Sequence, residues 1–340
     1  MSIITKGISM EITSNNRVVT VCLVILTIIG STHALIYTQS VLVPFVISLF
    51  IYLALVPALS FLQGKLKVSH NLAVGIIAIG YLLISALLVL IFVQSFETVL
   101  DQAGLYRVRV LELMSKLTEL VPGLNSAIDI NSIKDQLAQL PVLKILKGIT
   151  GDIFGLLGNS TLIVIFTIFL LLGDPTKNEN SLVKEFQVKL SRYVVAKLFI
   201  SALTSIVTGI VLLSVGADLA LLFALVTFLL NFIPNIGSLI AIALPLPVLF
   251  LQFGFTTPFW VALIICGVAQ FVIGNILEPK MLGDSLDLHP VVVLLFLMFW
   301  GLVWGVPGMF LAVPITSLLK ILFSRIEVTK PISELLAGRF

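Results

Sequence analysis

The chain has 340 residues, of which 59% are hydrophobic and only 11% charged, and its mean hydropathy is +1.18. Soluble globular proteins carry about 25% charged residues, so these values exclude a soluble enzyme, a nucleic-acid-binding protein and a disordered scaffold. The 20 basic and 17 acidic residues give a net charge of +3, which is too balanced for a polybasic partner surface. The composition predicts an all-α protein that crosses a membrane several times.

Six apolar runs are long enough to cross a bilayer core of about 30 Å as helices, which takes roughly 20 residues. They are residues 18–36, 41–62, 72–93, 153–172, 198–215 and 259–277. Four shorter runs form two adjacent pairs interrupted by Pro and Gly, namely 219–233 with 236–251 and 291–306 with 308–323. Each pair can be a full hairpin or a re-entrant one, and either choice adds an even number of crossings. We expect about eight transmembrane helices, some of them broken, with both termini on one side.

The positions of the basic residues predict the orientation, because Lys and Arg accumulate in cytoplasmic loops. Of the 20 basic residues, 14 fall on the side that holds both termini, including five in the charged stretch that ends at Lys197. The other six all lie within residues 94–152. We therefore predict that both termini are cytoplasmic and that the long segment lies outside.

The segment 96–152 is the most polar part of the chain. Apolar residues recur there at helical spacing from Leu105 to Leu120, until Pro122 and Gly123 end the pattern. This predicts a helical extramembrane insert, which either packs against neighbours or a second subunit or acts as a lid that captures a ligand. The charged stretch 174–197 predicts an amphipathic helix along the cytoplasmic surface.

These patterns divide the chain into six segments. They are a three-helix transmembrane segment (1–95), the insert (96–152), a fourth transmembrane helix (153–173), the cytoplasmic amphipathic helix (174–197), a C-terminal transmembrane core (198–325) and a cytoplasmic tail (326–340).

The sequence lacks the motifs that are typical of enzymes and of cofactor-binding proteins. It contains no GxxxxGK[ST] phosphate loop, no HExxH zinc helix and no GxSxG elbow. His33, His70 and His289 are isolated from acids and cysteines at ligand spacing, while Cys22 and Cys266 lie in apolar runs. We expect no catalysis, no cofactor and no metal site.

A polar interruption lies between two apolar runs at residues 231–238. Broken helices at membrane depth free backbone groups, and transporters use them to hold solutes. The amides of Asn231 and Asn235 suit a neutral polar solute or a weakly held cation, so these residues and the adjoining Pro234 and Gly237 are candidates for the substrate path. The alternative is an ordinary Pro/Gly turn between two tilted helices.

A second polar cluster ends the 259–277 run. Gln270 and Asn275 are further candidates for the substrate path. Glu278 is the candidate for proton or cation coupling, because placing an ionisable residue in a membrane costs free energy and such residues usually have a function. The alternative for Glu278 is an interfacial carboxylate that is solvated or paired with Lys280.

Gly301 and Gly305 form a GxxxG pattern in an apolar run, which indicates close helix packing. Four stretches around these polar and glycine positions match the motifs of a known family. They are VPFVISLFIYLALVPALSFL at 43–62, NFIPNIGSLIAIALP at 231–245, GNILEPKMLGDSLDLHP at 274–290 and FWGLVWGVPGMFLAVPITSLLKI at 299–321. With them the chain resembles the autoinducer-2 exporter family of bacterial membrane proteins.

The resemblance implies a multi-pass protein of the bacterial inner membrane, whose best known substrate is the quorum-sensing signal autoinducer-2, a small and oxygen-rich molecule. It also implies homo-oligomers, with pentamers among them. Some members are reported as sodium(lithium)/proton antiporters, and no catalytic role can be carried over to any residue.

Three functions stay open on these grounds. The first is an exporter of autoinducer-2 or a similar small polar solute, and the second is a sodium(lithium)/proton antiporter that uses Glu278. The third is a non-transporting oligomeric scaffold or a passive channel. The expected partners are membrane lipid, a small polar solute or cation and further copies of the chain, and nucleic acid is not among them.

Overall fold

The computed structural model describes residues 14–120, 160–173, 181–234, 236–282 and 288–339. Within these ranges all regular structure is helical and no strand occurs. The predicted all-α class is therefore confirmed.

The described elements are twelve helices and one π-turn. In chain order they are α1 (Ser14–Tyr37), α2 (Gln39–Gly64), α3 (His70–Leu120), α4 (Ser160–Leu172), α5 (Ser181–Ser214), α6 (Ala220–Leu230), α7 (Ile236–Ala243), α8 (Leu246–Phe253), α9 (Thr257–Val272), a π-turn (Ile273–Leu277), α10 (Glu278–Leu282), α11 (Pro290–Arg325) and α12 (Lys330–Leu336).

Seven stretches of the described chain are long and apolar enough to cross a membrane, which confirms the polytopic architecture. They are Val19–Tyr37, Gln39–Gly64, His70–Ser95, Gln187–Ser214, Ile236–Phe253, Thr257–Leu282 and Pro290–Arg325. Helices α4 and α6 are shorter apolar helices, and the predicted span 153–172 begins outside the described residues.

Helix α5 is the central helix of the bundle. Half of the residues in the most apolar 18-residue stretch of α5 are buried, whereas none are buried in the corresponding stretch of α1. The side chains of α1 are therefore the ones exposed to lipid or to a further protein surface, and those of α5 are shielded by other helices. A hydrogen bond from Trp304 Nε1 to the Leu35 carbonyl, at 3.0 Å, ties α1 to α11.

Two predicted segment boundaries do not coincide with helix ends. Helix α5 continues through residue 197 without a break, so residues 181–197 are not a separate surface helix; between 181 and 197 the sequence has neither Pro nor Gly to stop the helix. Helix α3 likewise continues past residue 95 to Leu120. The remainder of the predicted insert, residues 121–152, lies outside the described residues.

The extension of α3 is attached to the bundle by polar contacts. The Tyr106 hydroxyl lies 2.7 Å from Gln102 Oε1 and 3.1 Å from Asp218 Oδ2, so it can donate to either oxygen. The backbone N–H of Asp218 donates to Gln252 Oε1 at 2.8 Å. Burial raises the pKa of Tyr106, and the negative charge of Asp218 raises it further, so the phenol stays a hydrogen-bond donor at neutral pH.

The break after α6 folds α7 back against it. The chain turns through residues 231–234, and Gly237 then lies over the Leu230 carbonyl so closely that a Cβ on residue 237 would be 1.7 Å from that oxygen. Thr227 and Ala241 line one cavity from the two sides of the break. The pair is a helical hairpin, and only glycine fits at position 237.

The second break lies inside α11, at Gly305, whose φ of 64° and ψ of −144° favour glycine. A Cβ on Gly308 would be 2.0 Å from the Trp300 carbonyl, although residues eight apart in a straight helix are about 12 Å apart. The arms 290–304 and 306–325 therefore fold onto each other, and Leu297 and Leu311 share one core cluster. Gly301 faces Met309 across this hairpin, while Gly305 is itself the turn residue.

We expect Gly237→Ala to destabilise the protein by roughly 1–3 kcal/mol, because the new methyl group would overlap the Leu230 carbonyl. The measurement is the melting temperature of the purified protein in detergent. Gly267→Ala is the matched control, since a Cβ there meets nothing within 4 Å, and it should leave the melting temperature unchanged or raise it. Equal melting temperatures for the two variants would contradict the hairpin contact.

Candidate functional site

One face of α5 is polar although the helix lies in the interior of the bundle. Lys197, Ser201, Thr204 and Thr208 recur at i, i+4, i+7 and i+11, which places them on the same side of the helix. All four are buried. Polar side chains of α6, the turn after it, α9 and α10 lie beside this face, and all of them except Glu278 are buried. We call the whole set the polar seam, which consists of Lys197, Ser201, Thr204, Thr208, Thr227, Asn231, Gln270 and Glu278.

A chain of amide hydrogen bonds crosses the middle of the polar seam. Gln270 Nε2 donates to Asn231 Oδ1 at 3.2 Å, and Asn231 Nδ2 donates to Ser201 Oγ at 3.2 Å. None of the three side chains is more than 4% exposed. The structure thus joins the two polar clusters that the sequence analysis singled out separately, because Asn231 of the first bonds directly to Gln270 of the second.

An ion pair forms one end of the polar seam. Lys197 Nζ donates to Glu278 Oε1, and the lysine is 2% exposed and the glutamate 21%. A single charge buried at this depth would be strongly destabilising, whereas the pair is neutral as a whole. Lys280, the partner considered from sequence, is exposed. The partner of Glu278 is therefore on α5, and Lys197 is a buried residue rather than the end of a cytoplasmic surface helix.

The π-turn Ile273–Leu277 aligns Glu278 with Gln270. An α-helix advances about 100° per residue, so a separation of eight residues would place the two side chains about 80° apart around the axis. A π-turn takes up about one residue more than an α-turn. The eight-residue separation then acts like seven, close to two full turns, and both side chains face α5.

The other predicted site residues lie in different places. Pro234 is half-buried in the turn after α6, and Gly237 is buried against Leu230. Asn275 is exposed, and its Nδ2 donates to the Phe271 carbonyl of its own helix at 3.0 Å, so it is not part of the polar seam. Asn235 lies outside the described residues.

A cavity of about 10 Å³ lies beside the amide chain. Thr208, Thr227 and Gln270 contribute its polar lining, and the Thr227 hydroxyl has no hydrogen-bond partner within the described part of the chain. This volume holds about one water molecule. The polar seam is therefore closed to any larger solute in this conformation.

A larger groove, of about 850 Å³, opens between α2 and α5. Lys184, Gln187 and Arg192 contribute polar groups to its walls, and Val56 and Phe199 contribute apolar ones. Ala196 and Met281 also line it, and they are close in sequence to the two members of the ion pair. The groove is within the size range of ligand pockets, about 300–1,000 Å³. It adjoins the end of the polar seam that the Lys197–Glu278 ion pair forms.

The sequence analysis missed the polar face of α5, although a signal for it was present. Polar residues at positions 197, 201, 204 and 208 follow the helical period through an otherwise apolar run. Among the described residues, no group of three or more His, Cys, Asp or Glu side chains is arranged to hold a metal ion.

Comparison with known proteins gives a family match over most of the chain. Residues 21–327 match the model of the AI-2E family transporter. A Haemophilus influenzae protein named "Putative transport protein" is 32% identical over 300 residues, which cover 83% of this chain and 85% of that protein. The AI-2 transport protein TqsA of Escherichia coli is 26% identical over 315 residues, which cover 88% of this chain and 90% of TqsA.

We expect Glu278→Leu alone to destabilise the protein by roughly 3 kcal/mol, because it leaves the charge of Lys197 buried without its partner. Lys197→Met should cost less, because the unpaired Glu278 is 21% exposed. The double variant should be more stable than either single variant, since it removes both charges. Denaturant unfolding in detergent measures these differences, with the exposed Lys280→Met as the control. If the double variant lost as much stability as the two single variants added together, the two residues would not interact.

Proposed function

The chain belongs to the AI-2E transporter family, and from this premise we propose that it exports autoinducer-2 or a similar small polar solute along the polar seam. Its relatives are named as transport proteins, and it is a multi-pass membrane protein with seven described stretches that are long and apolar enough to cross a membrane. TqsA is named for AI-2 transport, which makes autoinducer-2 the first substrate to test.

The buried amide chain is the observation that carries this proposal. Asn231, Gln270 and Ser201 offer uncharged donors and acceptors inside the bundle, and the same groups can form hydrogen bonds to the oxygen atoms of a solute. A charged lining would hold an ion more strongly than a neutral molecule. The composition of the amide chain therefore favours a neutral, oxygen-rich cargo over a cation.

The groove between α2 and α5 is the proposed entrance to the path. Lys184 and Arg192 line it, and basic residues favour the cytoplasmic side. A solute entering there would meet Lys197 and Glu278 first and Asn231 next, before reaching the cavity at Thr227. Because that cavity holds about one water, transport requires the ion pair and the helices around it to separate. We propose an inner-membrane location with cytoplasmic termini, homo-oligomeric assembly, pentamers included, and no catalytic activity.

The second candidate function is sodium(lithium)/proton exchange. The observation in its favour is that Glu278 is the one carboxylate of the polar seam and that it already neutralises a buried cation. A sodium or lithium ion could replace Lys197 as its partner. A passive channel is less well supported, since the closed polar seam offers no continuous water path. A non-transporting scaffold is less well supported because the relatives are named as transport proteins.

We expect wild-type protein in liposomes to release autoinducer-2 and Gln270→Leu to reduce the rate about tenfold, because one hydrogen bond to the solute is worth about 1–1.5 kcal/mol. Asn275→Leu is the matched control, since it removes an amide of the same kind from an exposed position on the same helical stretch. Proton and sodium gradients are imposed separately to identify the driving ion. Equal loss in both variants, or no release by folded wild-type protein, would contradict the proposed path.

A separate measurement distinguishes the antiporter. We expect sodium uptake driven by an imposed pH gradient to be no faster in proteoliposomes than in protein-free vesicles, because the single seam carboxylate is occupied by Lys197. Glu278→Gln is included in the same assay. Sodium uptake by the wild type that disappears in Glu278→Gln would instead identify the protein as a cation/proton exchanger.

A further inference from the structure

A basic cleft of about 420 Å³ lies where α11 ends and α12 begins. Five cationic side chains and one anionic side chain line it, together with small and apolar residues. The charged residues are Lys189, Lys320, Arg325, Lys330, Arg339 and Glu334. The cleft is separate from the polar seam and from the groove between α2 and α5, and the proposed transport path does not use it.

The wall of the cleft that α12 provides is held in place by several contacts. The backbone N–H of His289 donates to the Leu336 carbonyl at 3.0 Å, and Thr329 Oγ1 donates to the Phe323 carbonyl at 3.1 Å. Gly338, with φ +75°, lies so close to the His289 ring that a Cβ would be 2.4 Å from its Cδ2. The cleft is thus preformed, and a ligand does not have to order α12 in order to bind.

The cationic side chains come from three separate parts of the chain. Lys189 belongs to α5, Lys320 and Arg325 to the end of α11, and Lys330 and Arg339 to α12 and the residues after it. Cations in the last turn of a helix are favoured by the helix dipole, which accounts for Arg325. It does not account for Lys330, which lies in the first turn of α12, where the helix dipole disfavours a cation. The convergence of five cationic side chains on one cleft fits a ligand with concentrated negative charge, such as a phosphate group.

The surroundings of the cleft are apolar. Ile321 is part of its lining, and Leu322, Ile326 and Val328 beside it are 45%, 55% and 87% exposed. Exposed aliphatic side chains next to a cationic cleft at the end of a membrane-spanning helix match the two parts of a phospholipid, its acyl chains and its headgroup. A soluble phosphate compound would use the cations but not the aliphatic residues.

We propose that this cleft binds the phosphate headgroup of an anionic phospholipid, with the acyl chains against the exposed aliphatic residues of α11 and the segment after it. Basic pockets at the ends of transmembrane helices are suited to such headgroups, and each Lys or Arg adds to the attraction. A bound headgroup bridges α5, α11 and α12, so it ties the C-terminal helix to the bundle at the membrane surface.

The test is the binding of phosphatidylglycerol and phosphatidylcholine to the full-length protein in detergent, measured by native mass spectrometry. We expect wild-type protein to prefer phosphatidylglycerol, and Lys320→Gln/Lys330→Gln to reduce that preference about tenfold or more. The charge-matched control, Lys65→Gln/Lys67→Gln, removes two exposed lysines from the turn after α2 and should leave the preference unchanged. Lys320→Arg/Lys330→Arg keeps both positive charges and should therefore keep the wild-type preference for phosphatidylglycerol. That result would show that the glutamine variant loses the preference through its missing charges and not through misfolding.

Two results would overturn the proposal. Equal loss of preference in the cleft variant and in the Lys65/Lys67 control would mean that overall charge, and not the cleft, attracts the lipid. Inorganic phosphate provides the second arm, measured by calorimetry. If phosphate binding depended on Lys320 and Lys330 while phosphatidylglycerol binding did not, the cleft would be a site for a soluble phosphate and not for a lipid.

Discussion

The pairing of buried polar groups with one another is the constraint on which the arrangement of this bundle depends. Inside a bilayer no water is present to satisfy an amide, a hydroxyl or a charge, so a partner within the protein lowers the cost of burying it. Lys197 can occupy the interior of α5 because Glu278 neutralises it. Asn231 can end α6 at depth because Ser201 and Gln270 bond to it. The positions of α6, α9 and α10 around α5 are those that bring these partners within reach.

The two helical hairpins, one at residues 231–237 and one at Gly305, make this arrangement possible. A helix of only 11 residues, such as α6, is about 17 Å long and cannot cross a bilayer core of about 30 Å. Folding back at residues 231–234 keeps Thr227 and Asn231 at depth, where they meet α5 and α9. The reversal within α11 uses the same means, a glycine placed against the carbonyl of the last turn before the break. At both breaks a glycine backbone lies directly against a carbonyl of the preceding helix, with no side chain between them.

Much of this fold follows from patterns within short stretches of sequence. Apolar run length predicts the spans, and the Pro and Gly residues at 234–237 and 305–308 predict both breaks. Asn231, Gln270 and Glu278 stand out because polar residues are rare in such runs.

What the sequence could not supply depends on contacts between distant residues. Lys197 ends a charged stretch whose composition predicted an amphipathic helix on the cytoplasmic surface. Only the packing of the other helices around it, and its contact with Glu278, identify it as buried. The π-turn at residues 273–277 was not predicted from the sequence. It directs Glu278 toward α5, whereas Asn275, three positions earlier, is exposed. Spacing along the chain therefore identified the polar residues but not which of them share a face.

The π-turn also fixes the direction in which the Glu278 side chain leaves the helix axis. If its residues wound as an ordinary α-helix, Glu278 would turn by about 100° around the helix axis. Its carboxylate would then no longer reach Lys197 Nζ, and that buried cation would be left without the partner that neutralises it. One extra residue in a single helical turn therefore keeps the ion pair together.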